Sequence, residues 1–240
     1  MAEGGKILAE VLKKLRKEVR VGISTLYLDQ LAYKLIKEAG AEPAFLGYRP
    51  AGSREAYPFT ACVSLNDCVV HGRPSEYKIQ DGDIVKLDLG LKYKEFYLDS
   101  AVSIGVGGIS KEAKKLISVT EESLQKGIKE CKAGKTTGDI GAVIEKHIIK
   151  NNFSVVKSLT GHGIGKNLHE DPNVLNFGRA GTGEELRVGM VIAIEPMVTI
   201  GSGETKVLAD DSFVAKDKSL AAHFEHTVAV TERGPKVLTK

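Results

Sequence analysis

Four acidic residues stand inside apolar runs that otherwise read as strands, and no other feature restricts what this chain can fold into as strongly. Asp88 interrupts "IVKLDLGL" and Asp99 interrupts "FYLDSAVSI", while Glu195 lies in "VIAIEPMV" and Glu225 in "AHFEHTVAV". Aspartate is disfavoured in strands, and an unpaired carboxylate is costly to bury. A hairpin about Tyr93 and Lys94 sets Asp88 and Asp99 opposite one another on neighbouring strands. Directly opposed residues have Cβ atoms about 5 Å apart. Two carboxylates that close repel unless a proton or a cation lies between them. The plain alternative is that one of the pair faces solvent across a sheet edge. Within the four runs the sole lysine or arginine is Lys86, which alternation puts on the face of Asp88. It competes as a partner for Asp88 alone.

The stretch "TGHGIGKNLHEDP" (160–172) adds His162, flanked by glycines, and His169 soon after. Glycine beside a histidine lets the backbone approach a ligand closely. A glycine-rich turn with two solvated histidines is the bland alternative. Four carboxylates and one imidazole form a hard, oxygen-rich ligand set, and two divalent cations would neutralise it. Such a set suits manganese, iron or cobalt better than a closed structural zinc site, which wants thiolates and more imidazoles. Two metals sharing carboxylates typically lie ~3.5–4 Å apart and activate a water between them. That is hydrolytic chemistry.

The rest of the chain frames this site. Its 240 residues can form one large domain or two small ones, and its 42% hydrophobic and 27% charged content is ordinary for a globular protein. A net charge of +3 is too mild to argue for nucleic acid. Lys13, Lys14, Arg16, Lys17 and Arg20 read as the solvated face of a helix. Cys62, Cys68 and Cys131 form no C-x-x-C pair, which fits a reducing cytosol. No apolar run is long enough for a signal peptide or a membrane span. Helical spacing predicts helices near 5–19, 25–39, 110–131 and 137–150, with Ser24 and Ser110 as N-caps and Gly40 as a stop. Strands are predicted at 59–65, 83–91 and 97–106, in one sheet, and later at 154–160, 191–200 and 223–231. The order helices, strands, helices, strands suggests two α+β halves facing one another. No linker separates them, so a single catalytic domain over 1–240 is expected.

Asp88, Asp99, His162, Glu195 and Glu225 occur in the order D, D, H, E, E, within "DIVKLDLG", "LTGHGIG", "IAIEPMV" and "FEHTV". This pattern resembles the type I methionine aminopeptidases over about residues 5–235. The resemblance implies a pita-bread fold: α+β, two pseudo-symmetric halves, a central antiparallel sheet and helices on the outer face. It implies that Asp88 is the bidentate ligand of one metal, that Asp99 and Glu225 bridge, and that His162 and Glu195 complete the other metal. Glu195 would also take the proton of the bridging water. His71, in "DCVVHGRPS", resembles the histidine that contacts the scissile nitrogen, and His169 the one that steadies the carbonyl oxygen. The ions would be two divalent metals drawn from cobalt, manganese, iron and zinc. The substrates would be nascent polypeptide N-termini with a small second residue, cleaved in the cytoplasm by a monomer that acts near the ribosome surface, with no membrane or direct nucleic-acid role.

His223 and His226 are expected to pack behind the ligands, and His147 to be solvated or a satisfied core residue. The pocket for the first side chain departs from the family. In "FLGYRPAGSREAYPF", Phe45 stands where cysteine is expected, Tyr48 and Tyr57 match, and several extra residues separate the tyrosines. Asp211 stands where an aromatic residue is expected, with Phe213 as its substitute. The short bacterial-like type is expected, without a zinc-finger extension or a long insertion near the C-terminus. Three other readings compete: a pita-bread aminopeptidase with a different first-residue preference; an aminopeptidase P or prolidase, which usually carries a large N-terminal domain; and a metal-free relative that only binds RNA or the ribosome, which would have lost ligands.

Overall fold

The computed structural model describes residues 1–49 and 55–240. Part of the long segment between Tyr48 and Tyr57 therefore lies outside the described residues. The chain opens with helices α1 (Ala2–Glu18) and α2 (Thr25–Glu38). Leu8, Val11 and Leu15 of α1 and Leu28, Ala32 and Ile36 of α2 recur at three- and four-residue spacing, and all six are buried. The Ser24 side chain accepts from the Tyr27 amide at 3.2 Å, and Gly40 ends the helix region at a φ of +71°. The basic residues of the α1 region are solvated, as expected.

Strands β1 (Glu42–Pro43), β2 (Ala61–Leu65), β3 (Cys68–Val70), β4 (Ile84–Tyr93) and β5 (Phe96–Gly105) follow. The first sheet has the order β1-β4-β2, with β5 pairing β4, all antiparallel. Asp88 and Asp99 do not face one another directly. Asp88 pairs with Ala101, and Asp99 with Gly90. The hairpin turns at Lys94 and Glu95, where Lys94 has a φ of +57°. Two-residue hairpin loops favour positive φ in the turn, and that shifts the register by two residues. An even shift keeps side chains on their faces, so the two carboxylates remain diagonal neighbours.

Helices α3 (Lys111–Glu130) and α4 (Thr137–Lys150) come next. Ser110 caps α3 through the Ala113 amide at 3.0 Å. Thr136 and Asp139 cap α4 reciprocally. The strands after them are β6 (Ser154–Val155), β7 (Gly161–Gly163), β8 (Glu170–Val174), β9 (Val191–Ile194), β10 (Met197–Thr199), β11 (Thr205–Val207), β12 (Phe213–Ala215), β13 (Ala221–His223), β14 (His226–Thr231) and β15 (Gly234–Val237). They form antiparallel sheets ordered β15-β14-β9-β7-β8, β13-β10-β6 and β11-β12-β3.

Three strand expectations need correction. The run 154–160 keeps strand structure only in β6. The runs 191–200 and 223–231 each break at their glutamate, at Glu195 and Pro196 and at Phe224 and Glu225. Pro196 has no amide to give a ladder. The backbone of Glu225 instead bonds to Ala101 of β5.

That contact belongs to a seam between the halves. The Ser100 hydroxyl donates to the Glu225 carbonyl at 2.8 Å, and the Ser103 hydroxyl to the His223 carbonyl at 2.7 Å. The Thr227 hydroxyl donates to the Asp99 carbonyl at 2.7 Å and accepts from the Asp99 amide at 3.0 Å. On one side α1 and α2 pack their apolar faces against Leu87, Leu89, Leu91 and Leu98. On the other, Leu116, Leu124, Ile140 and Ile144 of α3 and α4 cover Ile192, Ile194 and Val228. The expected α+β architecture is observed, with helices outside and the acidic residues facing one another at the seam.

Candidate metal centre

The five predicted ligands converge. Asp88 comes from β4, Asp99 from β5 and His162 from β7, while Glu195 and Glu225 come from the two strand breaks. Asp99, His162 and Glu225 each bring one ligand atom into a group whose members lie within 4.8 Å of one another. His162 Nε2 is 3.6 Å from Glu195 Oε1. Asp88, Asp99, His162 and Glu225 are buried. Asp88 Oδ1 and Glu225 Oε1 have no hydrogen-bond partner among the described residues, and no described lysine or arginine forms an ion pair with any of the four carboxylates.

The electrostatics follow from that enclosure. Burial pushes Asp88 up to about 7 and Glu195 up to about 8. Asp99 and Glu225 rise well above the carboxylate range, first through burial and then through repulsion from the other acids. Burial also takes His162 down to about 4, so its imidazole is neutral. Its Nδ1 donates to the Gly163 carbonyl at 2.8 Å, which leaves Nε2 as an acceptor facing Glu195. Orphaned carboxylate oxygens, a fixed neutral imidazole and no neutralising side chain are what a divalent cation requires.

Two sequence arguments change in detail. Lys86 lies on the expected face of β4 yet does not pair with Asp88: its ammonium donates to the carbonyls of Asn66 and Ala221. The glycines beside His162 serve close strand packing as well as the ligand. A Cβ at Gly163 would stand 2.1 Å from the Asp171 carbonyl oxygen, and one at Gly161 2.4 Å from that of Ala193.

His71 and His169 open onto the same cavity as the five ligands. His71 holds a φ of +58°, strained for a residue with a side chain, and its ring meets Phe213 edge-on at 5.5 Å. The His169 ring stands 4.4 Å from the His162 ring, and its Nδ1 is 2.6 Å from the Tyr48 hydroxyl. Phe45, Tyr48 and Tyr57 line the cavity, as expected. Tyr57 also braces it, donating to the carbonyls of Ala61 and Gly72. Asp211 lines the cavity in place of an aromatic residue; Phe213 packs on His71 and is not part of the lining.

Sequence reasoning missed Cys62, Leu168, Arg73, Glu55 and Asp210, which also line the cavity. No local sequence signal marks Cys62, which reaches the wall because β2 pairs it with Asp88. His223 is buried with Nε2 3.5 Å from Glu195 Oε2, behind the ligands as expected. His226 Nδ1 lies 3.0 Å from the Thr239 hydroxyl, and His147 Nε2 3.1 Å from a Glu122 oxygen.

The sequence pattern of metallopeptidase family M24 matches residues 1–232. The chain belongs to this family. Methionine aminopeptidase from Clostridium perfringens is 46% identical over 240 residues, covering 100% of this chain and 94% of that protein. The crystal structure of methionine aminopeptidase from Thermotoga maritima superposes with a TM-score of 0.95 at 40% identity, covering 100% of this chain and 95% of the other. Prolidase from Pyrococcus furiosus shares the fold alone, with a TM-score of 0.79 at 23% identity over 62% of its own chain. The M24 chain described here thus has the pita-bread architecture, and the family's metal-dependent hydrolase chemistry matches its acidic cluster.

Proposed function

We propose that the chain, acting as one catalytic unit over 1–240 and as a cytoplasmic monomer, removes the N-terminal methionine from nascent polypeptides whose second residue is small. The carrying observation is that four carboxylates, three of them buried and two with an orphaned oxygen, open into one cavity with His71, His169 and a wall of Phe45, Tyr57 and Cys62. The similarity to methionine aminopeptidases along the whole chain supports the same reading.

Asp88, Asp99, His162, Glu195 and Glu225 would hold two divalent ions, which supply a Lewis acid and a water acidic enough to attack at neutral pH. The residues of the chain do the rest. Glu195 takes the proton of the attacking water and passes it to the leaving amine. His169, steadied by Tyr48, donates to the carbonyl oxygen as it gains charge. His71 holds the scissile nitrogen. The methionine side chain enters the apolar wall, where aromatic faces suit a polarisable thioether. The crowded turn after His71 restricts the second residue.

A panel of Met-Ala-Ser, Ala-Ala-Ser, Leu-Ala-Ser and Met-Lys-Ser, with cobalt or manganese supplied, tests the assignment. Met-Ala-Ser should be cleaved far faster than the others. Comparable release of leucine or alanine would overturn the methionine specificity and leave the aminopeptidase chemistry standing.

A further inference from the structure

Lys86 is 1% exposed, and among the described residues its ammonium meets no carboxylate. It donates to the Asn66 carbonyl at 2.8 Å and to the Ala221 carbonyl at 3.1 Å. A buried lysine without an acidic partner is expensive, and a methionine would fill the same space at less cost. The groups Lys86 touches are the roots of the active-site segments. Asn66 forms the turn between β2 and β3 at a φ of +48°, and its carbonyl also accepts from the Ala221 amide at 3.0 Å. From that turn β3 leads to His71; from Ala221, β13 leads to Glu225; and Lys86 itself precedes Asp88 by two residues on β4. His71 sits in a strained backbone conformation, which persists only when its surroundings over-determine it.

We propose that Lys86 is a positioning residue for the reaction: its ammonium locks the His71-bearing strand to the segments bearing Glu225 and Asp88, and so fixes where the imidazole stands relative to the metal ligands. The idea rests on the aminopeptidase reading, in which His71 touches the scissile nitrogen. It joins the two halves of the fold through one cation that is not part of the cavity lining.

The test uses Lys86→Met and Lys86→Ala in the full chain, loaded with manganese and assayed on Met-Ala-Ser. Both variants should keep the parent's metal content. Their kcat should fall about tenfold or more, because a small misplacement remote from the chemistry costs up to ~10²-fold, while KM stays within about twofold. Added n-propylammonium, which replaces the missing stem and charge, should restore kcat in Lys86→Ala and leave Lys86→Met unchanged. An unaltered kcat in Lys86→Met overturns the proposal. So does loss of metal, a rise in KM alone, or equal response of both variants to the amine. If neither variant folds, Lys86 serves stability and the proposal fails. An inactive parent would instead refute the aminopeptidase reading.

Discussion

Glu225 donates its backbone amide to the Ala101 carbonyl at 2.9 Å and accepts from the Ala101 amide at 3.4 Å. This exchange crosses the seam between the halves. It takes Glu225 out of the ladders of β13 and β14 and brings its carboxylate, with Asp99 of β5, into one ligand group. A site assembled this way depends on the seam for its geometry and on each carboxylate for its charge balance.

Asp99→Ala should lose metal and activity together. Asp99 lies in the same ligand group as His162 and Glu225, and in the proposed assignment it serves both ions. Elemental analysis after gel filtration, paired with cleavage of Met-Ala-Ser, reads both quantities. Undiminished metal with intact turnover would remove Asp99 from the ligand set.

Thr227→Val should destabilise the fold while preserving its shape. The hydroxyl satisfies both the amide and the carbonyl of Asp99, and valine leaves both buried without a partner. Each orphaned group costs about 1–3 kcal/mol, so Tm should drop clearly in thermal unfolding of the metal-free protein. An unchanged Tm would mean that the seam contributes little to stability.

Metal binding and pH should be linked with a definite sign. Asp88 rises from 3.8 to about 7 and Glu195 from 4.5 to about 8 in the metal-free fold, and the acidic cluster titrates as a set. Carboxylates with raised folded pKa values stabilise the fold below their unfolded pKa and lose that contribution as pH climbs through the folded values. Metal-free protein should therefore lose stability from this cluster between about pH 4 and pH 8, and metal should restore more Tm the higher the pH. Calorimetry in buffers of different ionisation enthalpy should show protons released as metal binds. Glu195→Gln isolates the effect: its Tm advantage over the parent, both metal-free, should grow with pH, and a constant difference would contradict the assignment.

His71→Ala and His169→Ala should keep metal and lose rate. Neither stands in the ligand group, and both open onto the cavity. Loss of one preorganised transition-state contact typically costs ~10²–10³ in turnover. Metal content falling by half in either variant would make that histidine a ligand.

The helices were legible because local chemistry alone decides them. Leu8, Val11 and Leu15 share a face whatever lies opposite, and Ser24 and Ser110 cap through amides three residues away. The ligands were legible because a carboxylate in an apolar run has few explanations. The register of Asp88 against Asp99 was not, since alternation is identical for any even shift and the positive φ at Lys94 decides among them. Nor did apolar periodicity show that strands end at Glu195 and Glu225, because the apolar residues continue past both breaks. Lys86 sits on the expected face, but a long flexible stem does not report where its ammonium goes. Cys62 and Leu168 become cavity walls only through tertiary pairing.

The wall of the first-residue pocket can be moved from behind. Gly90 pairs with Asp99 across the hairpin, and the Phe45 ring lies directly over it. A Cβ at Gly90 would stand 2.6 Å from Phe45 Cε1 and 3.0 Å from the Ala44 Cβ. The Ala44 amide is bonded to the Gly90 carbonyl at 3.0 Å, so the backbone has little room to yield and the ring must move. The neighbouring space is the cavity that Phe45 lines. Overpacking of this kind costs about 1–3 kcal/mol. Gly90→Ala should therefore raise KM for Met-Ala-Ser about tenfold, raise that for Ala-Ala-Ser less, and leave metal content unchanged. Adding Phe45→Cys to Gly90→Ala removes the displaced ring and should return Met-Ala-Ser toward the parent value. If Gly90→Ala leaves both peptides unaffected, or if the second change fails to relieve the first, Phe45 is not the surface that meets the methionine side chain.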